Sequence, residues 1–301
     1  MRRLGPALLL CALGCRAAAG EESVPSAVRA RPEVSVSSAP STTTARFSPD
    51  PDLQVNLRVY AGPCPGPEMV RVGARSCIDR WEAHLVALDP AGGLRAHAAH
   101  LRPPADSYFE ARSAPHKKPQ AYISRVEASA ACRNAGKRLC SWGEWRRACQ
   151  GPRWRRYPYP GAGRRRACNT GKLHLLHELH ADDRPWGYEA HFNDPALSLE
   201  PGYLAETGAH AMCVTPEGIA DMVGNLHEWV STTVTDGFVE RMEEEPVERL
   251  EQPWVEGNGM FLGGFYSTTD QHGPGCHYTT IAHEPTYHDY STGFRCCADA
   301  R

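Results

Sequence analysis

Ten cysteines follow Cys15 in this chain of 301 residues: Cys64, Cys77, Cys132, Cys140, Cys149, Cys168, Cys213, Cys276, Cys296 and Cys297. They sit behind an export signal. Met1-Arg2-Arg3 supplies a basic start and Pro6 to Leu13 a short apolar segment, too short to span a bilayer. An even cysteine count in an exported chain predicts disulfides, which tie distant segments together and favour a fold held by staples as well as by a core. Spacing leaves the connectivity open, apart from the requirement that the neighbours Cys296 and Cys297 take different partners. No CxxC pair occurs, so a thiolate zinc site is not expected.

The apolar segment ends in Ala12-Leu13-Gly14-Cys15, which resembles a bacterial lipobox. On that reading residues 1–15 are a lipoprotein signal, Cys15 is the lipidated first residue of the mature chain, and the protein is an exported, membrane-anchored component of the cell envelope. The alternative is an ordinary secretory signal cleaved near Ala19. Residues 16–55 are rich in Ala, Ser, Thr, Pro and Glu. Such a stretch buries too little apolar surface to offset its ordering entropy, so it reads as a flexible tether. The formal net charge of −2 gives no reason to expect a nucleic-acid partner.

Residues 56–301 read as one domain. Val70-Arg71-Val72 alternates, and Cys77 to Glu82 reads as an early strand. Residues 87–118 lack periodicity and read as a loop-rich excursion. Ser124 and Glu127 form a capping box, with Val126, Ala130 and Ala131 as the expected apolar face of a helix that Gly136 ends. Ser141 and Glu144 form a second box, opening a helix through Trp145 and Cys149.

The helix, the Gly136-Lys137-Arg138-Leu139 turn and the helix containing Glu144-Trp145 resemble the formylglycine-generating enzyme, or sulfatase-modifying factor, family. Further landmarks follow in that family's order: Tyr157-Pro158-Tyr159-Pro160-Gly161, Cys168-Asn169, Asp221 to Trp229, Gly263-Gly264-Phe265-Tyr266 and Gly293-Phe294-Arg295. The resemblance covers roughly residues 66–299. It implies an α+β, loop-rich, C-type-lectin-like fold, here stapled by disulfides. The 27 glycines, 25 prolines and seven tryptophans suit a domain of long loops anchored by aromatic rings.

The resemblance also implies sites. Family members bind calcium at the element matching Asp221, Gly224, Leu226 and Glu228, and two acids with loop carbonyls make the oxygen shell that calcium prefers. The ion would be structural. The alternative is that Asn225 caps a turn and Glu228 pairs with an arginine such as Arg295. The family's oxidases hold copper(I) between two cysteines after the Gly-Gly element and oxidise a cysteine in a Cys-x-Pro-x-Arg substrate. Here Thr268 occupies the first thiol's position and Cys276 matches the second only after an insertion. A hydroxyl does not replace a soft thiolate ligand, so copper is not expected. Cys276 remains a catalytic candidate only if it is free; the competing expectation is a disulfide with Cys296 or Cys297.

The run His174 to His180 puts His174 and His177 on one helical face but defines no third ligand, and reads as an exposed loop or short surface helix. Arg153 to Arg156 and Arg164 to Arg166 form a basic, aromatic cluster, and Glu240 to Glu251 reads as a charged surface loop. The sequence therefore points to an envelope lipoprotein with a divergent, non-catalytic domain that binds protein, peptide or glycan. The alternative is a formylglycine-generating oxidase.

Overall fold

The computed structural model describes residues 62–88 and 92–301; the signal segment, Cys15 and the 16–55 tether lie outside the described residues. In chain order the elements begin with β1 (Met69–Val72), β2 (Ser76–Asp79), β3 (Ala83–Leu88), β4 (Leu94–Ala96), β5 (Phe109–Ser113), α1 (Arg125–Asn134), β6 (Arg138–Leu139) and α2 (Trp142–Gln150). They continue with α3 (Leu175–Leu179), a π-helical turn (Tyr188–Phe192), α4 (Ala196–Leu199), β7 (His227–Thr233) and α5 (Asp236–Glu243). β8 (Gly259–Leu262), a 3-10 turn (Gly275–His277), β9 (Thr279–His283), β10 (Thr292–Phe294) and β11 (Cys296–Asp299) complete the set. None of the described helices is long and apolar enough to cross a membrane.

Both capping boxes form. Ser124 and Glu127 exchange side-chain and backbone hydrogen bonds at the start of α1, and Ser141 and Glu144 do so at α2. α1 ends in a Schellman turn: Gly136 at φ +69° donates to the Arg133 carbonyl, and Lys137 donates to that of Cys132. The buried face of α1 is Ala128, Ala131 and Cys132, while Val126 is exposed. The apolar stripe is thus shifted from the one expected, because a disulfide cysteine helps to choose the face that turns inward.

Three small sheets are built from these strands, in the orders β1-β2-β11-β6, β10-β7-β8-β9 and β4-β3-β5. β10 runs parallel to β7, with Gly293 opposite Glu228. The excursion at 87–118 contains β4 and β5, contrary to the loop expected there. In β5, Phe109, Ala111 and Ser113 face inward in strict alternation. The Glu240–Glu251 run is also only partly a surface loop. α5 buries Phe238, Val239 and Met242, and the Glu245 carboxylate receives Arg146 and Arg249.

All ten described cysteines are oxidised, pairing Cys64–Cys77, Cys132–Cys296, Cys140–Cys297, Cys149–Cys276 and Cys168–Cys213. Cys276 is therefore not free, and its partner is neither Cys296 nor Cys297. Those two are consecutive on β11, where successive side chains point to opposite faces. Cys296 joins the core cluster around Trp229 and reaches α1, while Cys297 joins the one around Trp145 and reaches the end of β6. Five disulfides fit an oxidising compartment.

Candidate functional site

The loop from Asp221 to Leu226 is shaped by residues that accept a left-handed backbone: Asp221 at φ +56°, Gly224 at +80° and Asn225 at +61°. At Gly224 a side chain has no room, since a Cβ would lie 2.2 Å from the Asn169 carbonyl oxygen. That close approach lets Asn225 turn inward. Its amide oxygen accepts from Asn169 Nδ2 and the Ala205 N–H, and its amide nitrogen donates to Glu82 at 2.6 Å. Glu82 also accepts from the Leu226 N–H at 3.2 Å. The loop is thus fastened from within by a buried acid on the segment after β2.

Glu228, at the start of β7, has both oxygens engaged. Arg295 donates to each at 2.6 Å, and Trp145 Nε1 donates to Oε2 at 2.7 Å. The fully buried guanidinium also donates to the carbonyls of Asp79 and Ala220. The Glu228–Arg295 pairing is the alternative the sequence left open. Asp221 accepts from the Gly208 N–H. Burial, reinforced by the Glu228 charge, pushes its carboxyl up to about 6, against the Gly208 hydrogen bond and Arg295. Burial also raises Glu82, with the charges of Asp221 and Glu228 adding to it. Three buried carboxylates thus face one guanidinium.

That imbalance bears on calcium. Ionised together, Glu82, Asp221 and Glu228 would exceed the single charge of Arg295, and the raised carboxyls of Glu82 and Asp221 reflect that cost; a divalent cation would offset it. Glu228 Oε1 accepts only from Arg295 Nη2 among the described hydrogen bonds, so one of its lone pairs is left for a metal. With Asp221 and the carbonyls of Gly224 and Leu226, this donor set suits a hard cation that takes oxygen ligands. Glu82 is the residue that sequence reasoning missed. The available signal was an acid placed directly after Trp81, in the short link from β2 of one sheet to β3 of another.

The second area surrounds Thr268. Its Oγ1 accepts from the Phe265 N–H at 2.7 Å, and its own N–H donates to the Phe265 carbonyl, so this hydroxyl closes the turn after Gly263-Gly264. Beside it lies a cleft of about 230 Å³, lined by Tyr157, Tyr159, Arg164, Arg165 and Asp270 among others. Tyr157 and Tyr159 stack with centroids 5.6 Å apart. Gly275 also lines this cleft, and the adjacent Cys276 turns away to Cys149 on α2. Part of the basic cluster is therefore cleft wall, while Arg155 lies 3.8 Å from Glu217 in an ion pair.

Fold and site together define a disulfide-stapled α+β domain whose glycine-asparagine loop is locked to a C-terminal Gly-Phe-Arg strand. Residues 86–300 match the sulfatase-modifying factor enzyme 1-like domain, and the chain belongs to this family. No curated protein sequence matches it. Among solved structures, PvdO from Pseudomonas aeruginosa aligns with 80% of this chain and 86% of its own, at 15% identity and a TM-score of 0.44. CarF aligns with 74% of this chain and 86% of its own, at 14% identity and a TM-score of 0.38. The P3c variant of the major tropism determinant aligns at 12% identity and a TM-score of 0.41; this chain covers 78% of itself and 53%, about half, of that protein. At such identities no residue's role is carried over.

Proposed function

We propose that this domain is a non-catalytic member of its family, carried on a lipid-anchored envelope protein, that binds a peptide, protein or glycan in the cleft beside Thr268. The single observation that supports this most is the fate of the two thiol positions. Thr268 spends its hydroxyl on its own turn, and Cys276 is consumed by Cys149. Without a thiolate pair a soft copper(I) ion has no ligands there. What remains is a cleft with two stacked tyrosines, two arginines and Asp270. Aromatic faces with a few fixed charges suit sugar rings or an extended peptide bearing an acidic group.

In this reading a calcium ion at Asp221, Glu228 and the carbonyls of Gly224 and Leu226 is structural, holding the loop that backs the cleft. The test has two arms. Incubation with a Cys-x-Pro-x-Arg peptide, copper and oxygen is expected to leave the cysteine intact by mass spectrometry; appearance of the aldehyde establishes the oxidase reading instead. Glycan and peptide arrays are expected to yield a ligand whose binding drops at least tenfold in Tyr157→Ala. Binding unaffected by Tyr157→Ala refutes the cleft as the site.

A further inference from the structure

We infer that His180, Asp183 and His191 form a binding site for a divalent transition ion of the zinc class, separate from the calcium loop and from the cleft beside Thr268. Among the described residues this is the one group of three or more histidine, cysteine or acidic side chains whose ligand atoms all lie within 4.8 Å of one another.

The chain converges on this point through local turns. His180 caps α3 with its N–H on the Leu176 carbonyl, and the Asp183 N–H returns to the His180 carbonyl, so Asp183 folds back over the ring. The π-helical turn then brings His191 round, and the two imidazoles meet edge to face with centroids 5.0 Å apart. His180 Nδ1 lies 3.4 Å from Asp183 Oδ2. That is close to the spacing of about 3.3 Å that two ligands adopt around a tetrahedral ion with metal–ligand distances of about 2.0–2.1 Å.

The hydrogen bonds behind the ligands select which nitrogens face the metal. His180 Nε2 sits 3.0 Å from Asp194 Oδ2, leaving Nδ1 for the ion. Asp194 is itself fixed: its other oxygen accepts from the Ala196 N–H at the start of α4, and its carbonyl accepts from the buried Tyr122 hydroxyl. A carboxylate behind a histidine orients the ring and strengthens the other nitrogen as a ligand. His191 Nδ1 faces both the N–H and the carbonyl of Gly187, at 2.9 and 3.3 Å. The shorter bond, from the Gly187 N–H, makes Nδ1 an acceptor and puts the neutral ring's proton on Nε2. Coordination through Nε2 therefore displaces that proton and shifts Nδ1 to donating to the Gly187 carbonyl.

The other histidines of the run serve different ends. His174 contacts the Tyr290 hydroxyl and stacks on Trp186, and His177 faces the Arg184 guanidinium at 2.8 Å. This explains why spacing within the run failed to define a site: the partners of His180 lie beyond it. Two imidazoles and a carboxylate select zinc-like ions over calcium or magnesium. Asp183 is 59% exposed and His180 15%, so an ion has access from solvent while one ring is held in place. The fourth position falls to water.

The test uses the disulfide-intact chain, stripped with a chelator and kept in excess calcium chloride so that the calcium loop is not read. Titration with zinc chloride against a chromophoric chelator is expected to give one tight equivalent, and cobalt(II) the intense visible bands of a tetrahedral site. His191→Gln and the exposed-site variant Asp183→Asn are each expected to weaken zinc at least tenfold and to lose those bands. Asp194→Asn is expected to weaken it about ten- to hundredfold, and His177→Gln to change nothing. Circular dichroism confirms that the variants fold. No tight equivalent in the parent chain, unchanged affinity in both His191→Gln and Asp183→Asn, or equal loss in His177→Gln overturns the site.

Discussion

Replacing Arg295 by methionine leaves Glu228 buried without its counter-charge. Arg295 and Glu228 are 0% and 1% exposed, so neither regains water when its partner goes. The substitution deletes two charge-assisted hydrogen bonds of 2.6 Å and the donors to the carbonyls of Asp79 and Ala220. Trp145 Nε1 remains the one described donor to the carboxylate. Breaking a buried pair by removing one partner costs about 3–5 kcal/mol. For a domain of this size, about 2–4 °C of Tm is lost per kcal/mol, so Tm falls by roughly 6–20 °C. Thermal and urea unfolding in a calcium chelator measure this without a contribution from bound ion. The cycle with Glu228→Gln separates the pair from its surroundings: in contact, the two substitutions are expected to be non-additive by more than about 1 kcal/mol. A loss below about 1 kcal/mol for Arg295→Met, or simple additivity, refutes the view that this pair holds the loop to the C-terminal strand.

Glu144 gives a pH signature. Burial raises its carboxyl, but hydrogen bonds from Arg138, Ser76 and Ser141 outweigh it and bring it from 4.5 to about 2. A depressed folded value contributes stability above pH 4.5 that is lost as pH falls towards 2, and Glu144→Gln is expected to flatten that part of the stability profile. Cys149→Ala with Cys276→Ala opens a link across 127 residues and is expected to cost about 2–4 kcal/mol by denaturant unfolding. Calcium chelation is expected to lower the Tm of the parent chain and to leave that of Glu228→Ala unmoved; a parent chain indifferent to chelation rules out the ion. Cys15→Ala is expected to release the protein from membranes on fractionation, and continued retention counts against the lipid anchor.

The features legible in the sequence are those in which a residue and its partner are close along the chain. Ser124 with Glu127 and Ser141 with Glu144 are each three positions apart, and Gly136 closes its turn on Cys132 and Arg133. Such interactions need no knowledge of where the chain goes next. The order of landmarks from Gly136 to Arg295 carried the family for a related reason, since each marks a turn whose backbone tolerates few residues, as Gly224 does against Asn169. β5 was missed: its alternation of Phe109, Ala111 and Ser113 spans only five residues, and short strands in glycine- and proline-rich surroundings give a weak periodic signal.

What the tertiary structure alone decided depends on which surfaces meet. Cys276 and Cys149 are 127 residues apart, and Cys296 and Cys132 are 164 apart. Spacing cannot rank such pairs; the opposite faces of β11 separate the partners of Cys296 and Cys297, and the packing of α2 against the 3-10 turn brings Cys149 to Cys276. Glu82 becomes part of the loop network only because the segment after β2 is laid beneath Asn225, 143 positions away. His180 gains Asp194 and His191 only because a π-helical turn folds them back. Local hydrogen bonds are written in adjacent residues, but buried charge and ligand geometry exist only once distant segments exclude the same water.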